Sequence, residues 1–160
     1  MDILLVVIMM KDKLSSFFKI FGPLILGGIV AFVIKDYMNY SDLVQPPLSP
    51  PSIVFPIVWT ILYLLMGISY YLFSKENQDS SISFLYKLQL GINLIWPILF
   101  FNFRWYFFSI LWILLLVVCV WMYFKKLWNG NYKRSAYLLI PYLIWLMIAT
   151  YLNIGVYLLN

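Results

Sequence analysis

Residues Gln45–Gly67 read QPPLSPPSIVFPIVWTILYLLMG, and this stretch sets the expected architecture of the chain. The prolines at positions 46, 47, 50 and 51 fix φ and lack backbone donors, so we expect an extended or turned segment there. From Ile53 the sequence becomes apolar, and Pro56 comes early enough to belong to the first turn of a helix. Trp59 and Tyr63 then lie four residues apart on one helical face. The pattern fits a loop over a ligand cavity, or a surface loop followed by a lipid-facing aromatic belt.

The composition indicates an integral membrane protein. Of the 160 residues, 64% are hydrophobic and 11% are charged, whereas soluble domains have about 45–50% and about 25%. Aromatic residues make up 21% of the chain, more than two interfacial belts need, so we expect some of them to line an internal site. With one cysteine, Cys119, and no histidine, the chain has no internal disulfide and lacks the commonest metal ligand and general base.

Hydropathy predicts an all-α fold with five transmembrane helices, at about 17–37, 53–73, 84–103, 105–124 and 135–159. They form a single transmembrane domain over residues 17–160, preceded by an N-terminal tail of residues 1–16. The apolar run Ile3–Met10 is too short to span a bilayer, and we expect Met9 or Met10 to be the natural start. In the first predicted helix, Gly27 and Gly28 favour close helix packing over ligand contact.

Basic residues are distributed unevenly between the two sides of the predicted bundle. Nine of the eleven lie in the N-terminus or near the second and fourth loops: Lys11, Lys13, Lys19, Lys75, Lys87, Lys125, Lys126, Lys133 and Arg134. The other side has Lys35 and Arg104. The positive-inside rule therefore places the N-terminus in the cytoplasm, and the C-terminus and the long loop Lys35–Ser52 outside. We expect a bacterial plasma membrane, whose anionic lipids explain the net charge of +5 without a nucleic-acid partner.

Several classes of activity lack the residues they need. All six acidic residues lie in the termini or predicted loops, so no carboxylate within a span can relay protons, which disfavours a proton-coupled exporter. The chain has no nucleophile–histidine pair, metal-ligand cluster or glycine-rich phosphate loop, which argues against a hydrolase or nucleotide-binding protein. We therefore expect no metal site, and any chemistry must use aromatic side chains, amides or the ligand itself.

The third predicted helix contains the segment QLGINLIWPILFF at residues 89–101. Asn93, Trp96 and Phe100 fall on one face, and Pro97 is expected to bend the helix. An asparagine in hydrocarbon needs a partner, and an interhelical hydrogen bond explains Asn93 at least as well as ligand contact.

The fifth predicted helix contains the segment PYLIWLMIATYLN at residues 141–153. Trp145, Ala149 and Asn153 form a second stripe at intervals of four residues. The small side chain of Ala149 opens space beside the indole of Trp145, although close helix packing explains it about as well.

Together the three segments resemble the tryptophan-rich sensory protein and mitochondrial translocator protein family, formerly called peripheral benzodiazepine receptors. They occur in the order of the family, and the resemblance covers Phe21–Asn160. It implies a five-helix bundle whose pocket opens toward the long first loop. The family binds porphyrins such as protoporphyrin IX, isoquinoline-carboxamide and benzodiazepine-type drugs and, in animal members, cholesterol. By resemblance, the ligand-binding residues are Tyr40, Pro50, Trp59, Tyr63, Asn93, Trp96, Trp145 and Ala149.

The function implied by the resemblance is porphyrin sequestration or transport within the lipid bilayer, with no required cofactor. Any enzymatic role is at most a light- and oxygen-dependent degradation, with the porphyrin as photosensitiser. Trp59 and Trp145 would then be the catalytic electron or radical partners. The alternative is a membrane adaptor or stress-regulatory protein that turns over no ligand.

The sequence departs from the family pattern in the first loop and on the third helix. Gln45 replaces a usual lysine, and Leu48 and Ile53 replace two usual tryptophans. Phe84 and Leu88 stand where some relatives have a glycine pair that supports dimer packing, which leaves homodimerisation open. The cholesterol-consensus segment is incomplete, because no basic residue follows position 134.

Overall fold

The computed structural model describes residues 3–38, 40–76 and 79–160. Those residues form helices and loops without a strand: α1 (Ile3–Ile34), α2 (Val54–Glu76), α3 (Ser80–Pro97), α4 (Tyr106–Asn129), α5 (Lys133–Tyr137) and α6 (Ile140–Leu159). Five spans are long and apolar enough to cross a membrane, and the fifth comprises α5 and α6. The predicted all-α fold with five transmembrane helices is therefore confirmed. The loop between α1 and α2 carries two 3₁₀ turns, Lys35–Tyr37 and Tyr40–Asp42.

The first helix covers Ile3–Ile34, so residues 3–16 of the expected tail are helical. No proline or glycine occurs before position 22, and the backbone hydrogen bonds continue without interruption. At 1.5 Å per residue, the helix is roughly 48 Å long, which exceeds the ~30 Å of hydrocarbon in a bilayer. Met9 and Met10 lie within this helix, and their assignment as the natural start stays a prediction.

Glycines allow α1 to approach α2 closely at two points. A Cβ at Gly67 would collide with the backbone carbonyl of Ile20, and a Cβ at Gly27 would collide with the ring of Tyr63. The packing role expected for Gly27 is therefore present. A Cβ at Gly28, in contrast, would meet no atom within 4 Å, so close packing does not explain that glycine.

The third span changes geometry at its proline. Asp79 caps the start of α3, where its carboxylate accepts a hydrogen bond from the backbone N–H of Ser81 at 2.7 Å. Hydrogen bonds from the hydroxyl and backbone N–H of Ser81 hold the pKa of this exposed carboxyl below its usual value. After Pro97 the α-helix gives way to a π-helical turn, Ile98–Asn102. Such wide turns redirect side chains and often occur at functional sites.

The hydrophobic core lies among α2, α3, α4 and α6. The fully buried side chains include Met66 and Phe73 of α2, Tyr123 of α4 and Leu146 of α6, and α3 contributes Ile82, which is 3% exposed. Helix α1 is peripheral, since many of its apolar side chains are exposed, among them Phe32 at 70% and Val33 at 66%. The space between α1 and the rest of the bundle contains a cavity.

Candidate ligand-binding cavity

A cavity of about 200 Å³ lies between α1, α2, α6, the end of α3 and the first loop. None of the described residues that line it carries a charge. Much of its wall is aromatic: Tyr40, Phe55, Trp59, Tyr63, Trp96, Phe100, Phe101 and Trp145. Such a wall suits a flat, conjugated and largely apolar ligand, because aromatic faces provide a large contact area with specific stacking geometry.

The structure brings together seven of the eight residues that the resemblance assigns to ligand binding: Tyr40, Trp59, Tyr63, Asn93, Trp96, Trp145 and Ala149. Phe100 and Asn153, which the helical stripes had also selected, line the same cavity. The eighth residue, Pro50, is half-buried in the loop and is not part of the lining.

Asn93 is engaged within the protein. Its Oδ1 accepts a hydrogen bond from the hydroxyl of Tyr63 at 2.7 Å, and its Nδ2 donates to the hydroxyl of Tyr142 at 2.8 Å. The three side chains are buried and connect α2, α3 and α6. The interhelical hydrogen bond that the sequence allowed is therefore present, and Asn93 bounds the cavity mainly as a structural bridge.

Asn153 is only half satisfied. Its Oδ1 accepts a hydrogen bond from the hydroxyl of Ser109 at 2.9 Å, which connects α4 and α6. Its Nδ2 has no hydrogen-bond partner among the described residues, although the side chain is 1% exposed. This nitrogen is inaccessible to a molecule in the cavity, so Asn153, like Asn93, serves mainly to connect helices.

The aromatic side chains contact one another from the loop toward the middle of the bundle. The ring centroids of Tyr40 and Phe55 lie 4.9 Å apart, and Phe55 meets Trp145 edge to face at 5.9 Å. Trp59 lies 5.6 Å from Tyr63, with their planes tilted by 32°. Contacts of this kind restrict the rotamers of the rings, so the wall is preorganised for a ligand.

The first loop is tied to the end of α6. The amide of Asn160 pairs with the backbone of Val44, accepting from its N–H and donating to its carbonyl, each at 3.0 Å. The hydroxyl of Tyr151 donates to the carbonyl of Pro47 at 2.7 Å. These bonds hold the loop at the end of the cavity that Met38 and Tyr40 line.

Two further contacts fix the loop. The ring of Pro46 packs where Gly155 lacks a side chain, because a Cβ there would lie 2.5 Å from the proline ring. Gln45, in place of the family's lysine, donates from Nε2 to the carbonyl of Tyr40 at 3.1 Å. Gln45 thus supports the loop segment that carries a lining tyrosine.

Leu48 and Ile53 replace two tryptophans that are usual in the family, and this replacement does not affect the wall of the cavity. Leu48 is 95% exposed and Ile53 is 65% exposed. Neither residue lines the cavity.

Sequence reasoning did not assign one set of residues to the cavity lining. Helix α1 contributes Leu24, Gly27, Gly28 and Ala31, which share one helical face at intervals of three and four residues. This spacing was available as a signal, but small residues on a transmembrane helix are expected to pack against another helix. Gly28 and Ala31 instead lie beside the cavity.

Comparison with known proteins agrees with this architecture. A model of the TspO/MBR family matches residues 20–159. The tryptophan-rich protein TspO of Archaeoglobus fulgidus is 34% identical over 76% of this chain and 79% of its own length. Protein CrtK of Rhodobacter capsulatus is 30% identical over 92% and 94%, and the human translocator protein is 35% identical over 71% and 70%. The chain is therefore a member of the TspO/MBR family.

Proposed function

We propose that this membrane protein binds a porphyrin such as protoporphyrin IX, or a similar hydrophobic ligand, for sequestration or transport. The observation that supports the proposal is the convergence of Tyr40, Trp59 and Trp145 on one uncharged cavity. Indole and phenol faces stack well on a conjugated macrocycle. The names of the relatives, among them translocator protein and tryptophan-rich sensory protein, fit such a role.

The size of the cavity limits how a macrocycle can fit. Its volume of about 200 Å³ is below the roughly 300–1,000 Å³ typical of sites for drug-sized ligands. The lining includes exposed residues of α1 and α2, namely Gly28, Ala31, Pro56 and Thr60, so the cavity opens between these helices. We therefore place one edge of the ring system among the indoles and the remainder in this opening.

The propionates of a porphyrin require a polar environment. Lys35 follows Ile34, a lining residue, and its side chain is exposed at the loop end of α1. An ammonium group there can attract a carboxylate without either charge entering the apolar cavity. Light-dependent degradation of the porphyrin remains a second proposal, with Trp59 and Trp145 as electron or radical partners.

Titration of the purified protein with protoporphyrin IX tests the binding function. We expect saturable quenching of tryptophan fluorescence at micromolar ligand, with one site per chain. Quenching that rises without saturation indicates partitioning into detergent or lipid only. That result, or a flat response, would contradict the proposal and favour the adaptor or stress-regulatory alternative.

A further inference from the structure

Helices α1 and α2 remain adjacent beyond their close crossing at Gly67, where a Cβ would collide with the backbone carbonyl of Ile20. One helical turn from this point, toward the N-terminus of α1 and the C-terminus of α2, lie Ser16 and Tyr71. The hydroxyl of Tyr71 interacts with the side chain of Ser16. The crossing therefore brings polar groups of two helices together near one end of the bundle.

Two lysines converge on the same hydroxyl. The ammonium group of Lys75 lies 4.9 Å from the ring centroid of Tyr71 and also interacts with its hydroxyl. Lys19 follows Ser16 by three residues on α1, and the hydroxyl of Tyr71 is within its electrostatic range. Two cations and two hydroxyl groups, contributed by two helices, are thus gathered at one place. We call these four side chains the α1–α2 basic cluster.

The positive charge of the cluster is not neutralised by an ion pair. Asp12 is on α1 and Glu76 follows Lys75 directly, but neither Lys19 nor Lys75 pairs with a carboxylate in the described part of the chain. Like charges that share a small region repel each other, whereas an anion between them is attracted by both. The arrangement therefore favours a negatively charged ligand.

The cluster is accessible and lies at the edge of the apolar spans. Lys75 is exposed, and Ser16, Lys19 and Tyr71 are half-buried. The uncharged part of α1 begins directly after Lys19, and that of α2 ends directly before Lys75. Charged side chains that flank a span lie at the level of the lipid headgroups, so the cluster is placed where phosphate groups are abundant.

Apolar side chains continue from both lysines toward the middle of the bundle. Leu26, seven residues after Lys19 on the same stripe of α1, is 43% exposed. Ile68, seven residues before Lys75 on α2, is half-buried. A lipid whose headgroup is bound between the lysines can lay its acyl chains along these side chains and bury apolar surface.

We infer that the α1–α2 basic cluster binds the phosphate of one anionic phospholipid, with the acyl chains along Leu26 and Ile68. The lysines attract the phosphate, and the hydroxyls donate hydrogen bonds to its oxygens. A zwitterionic lipid fits less well, because its own ammonium group balances the phosphate and is repelled by the two lysines. None of the four side chains lines the aromatic cavity, so the inference does not depend on porphyrin binding.

Two lipids with the same acyl chains test the inference: dioleoylphosphatidylglycerol, which is anionic, and dioleoylphosphatidylcholine, which is zwitterionic. Each is titrated against the full-length protein in a mild detergent, and the bound lipids are counted by native mass spectrometry. We expect one phosphatidylglycerol to bind saturably per chain, at least fivefold more tightly than phosphatidylcholine. This is about the contribution of one lysine near an anionic lipid surface.

Lys19→Gln and Lys75→Gln each remove one charge from the cluster and keep a polar side chain. We expect each to reduce the preference for phosphatidylglycerol at least threefold. Tyr71→Phe removes the hydroxyl alone and should reduce the preference about twofold. Lys125→Gln is the matched control, because Lys125 is exposed on α4 and lies outside the cluster. The same change in net charge at that position should leave the preference unchanged.

Equal affinities for the two lipids would overturn the inference, as would a preference that survives in both cluster lysine variants. A loss of preference in Lys125→Gln as large as theirs would also overturn it, because only net charge would then matter. Inorganic phosphate, added at constant ionic strength, distinguishes a lipid from a free anion. We expect millimolar phosphate to leave phosphatidylglycerol bound, and its displacement would assign the cluster to free phosphate and contradict the lipid site.

Discussion

Ala149 is the smallest side chain that α6 contributes to the cavity, and it lies one helical turn from Trp145. Replacement by leucine fills space beside the indole while keeping the helix apolar. We expect Ala149→Leu to weaken protoporphyrin IX binding by ~1–3 kcal/mol through overpacking, with expression largely unchanged. The measurement is the fluorescence titration described above.

The control for Ala149→Leu is Met147→Leu on the same helix. Met147 is 64% exposed and faces away from the cavity, so its replacement should leave the affinity unchanged. If Ala149→Leu binds as well as the parent protein, Ala149 serves helix packing and does not limit the space for ligand.

Trp59 and Trp145 allow binding to be separated from chemistry. Phenylalanine retains an aromatic face, so either substitution should weaken porphyrin binding by ~0.5–1.5 kcal/mol. The degradation hypothesis predicts a larger effect on turnover, because phenylalanine does not replace an indole as an electron or radical partner. We expect the rate of photobleaching of bound protoporphyrin IX to fall at least tenfold at saturating ligand.

Trp121→Phe, at an exposed position on α4, is the control for the photobleaching rate. Rates in Trp59→Phe and Trp145→Phe that match the parent protein at saturation would remove the chemical role of both indoles. The cavity would then be a passive binding site.

Sequence reasoning identified residues whose polar side chains are unusual in a transmembrane helix. Asn93 and Asn153 are conspicuous in an apolar span, and both lie at the cavity. Their hydrogen-bond partners were not predictable, since Tyr142 and Ser109 come from other helices and depend on the packing of the bundle. The sequence therefore located the site but did not distinguish the bridging amide from the half-satisfied one.

At the scale of elements, the crossing of α1 and α2 depends on Gly67. A Cβ there would collide with the carbonyl of Ile20, which is backbone and cannot rotate away. We expect Gly67→Ala to separate the helices and to lower the free energy of unfolding by ~1–3 kcal/mol or more. Thermal unfolding in a mild detergent measures the change.

Gly91→Ala, inside α3, is the matched control for Gly67→Ala. A Cβ at Gly91 would meet no atom within 4 Å, and alanine is favoured over glycine inside a helix by ~1 kcal/mol. The control should therefore be neutral or slightly stabilising. If both variants have the same stability, the close crossing of α1 and α2 contributes little to the fold.

The helices that hydropathy predicted were correct in number because about 20 apolar residues are needed to cross a bilayer. Their ends were less certain, since polar residues such as Lys11 are compatible with helix and do not mark a boundary. Helix α1 therefore includes residues 3–16, ahead of the predicted span. The π-helical turn after Pro97 was also not predictable in detail, because proline signals a disturbance but not its geometry.

At the scale of the whole molecule, the basic residues define an end of the bundle. The side chain of Lys126, at the end of α4, donates to the hydroxyl of Ser81 at the start of α3, at 2.7 Å. The ammonium group of Lys133 lies 3.8 Å from the ring centroid of Trp128. These lysines thus gather where α3 begins and α4 ends, while the first loop lies over the opposite end of α6.

The positive-inside rule predicts that this basic end faces the cytoplasm and that the first loop faces outward. Two single substitutions test the orientation: Ser52→Cys in the first loop and Asn129→Cys at the end of α4, both at exposed positions. With a membrane-impermeant maleimide on intact cells, we expect labelling of Ser52→Cys alone. Asn129→Cys should react only after permeabilisation, and the parent protein should remain unlabelled because Cys119 is buried. The opposite labelling pattern would show the inverted topology, with the first loop in the cytoplasm.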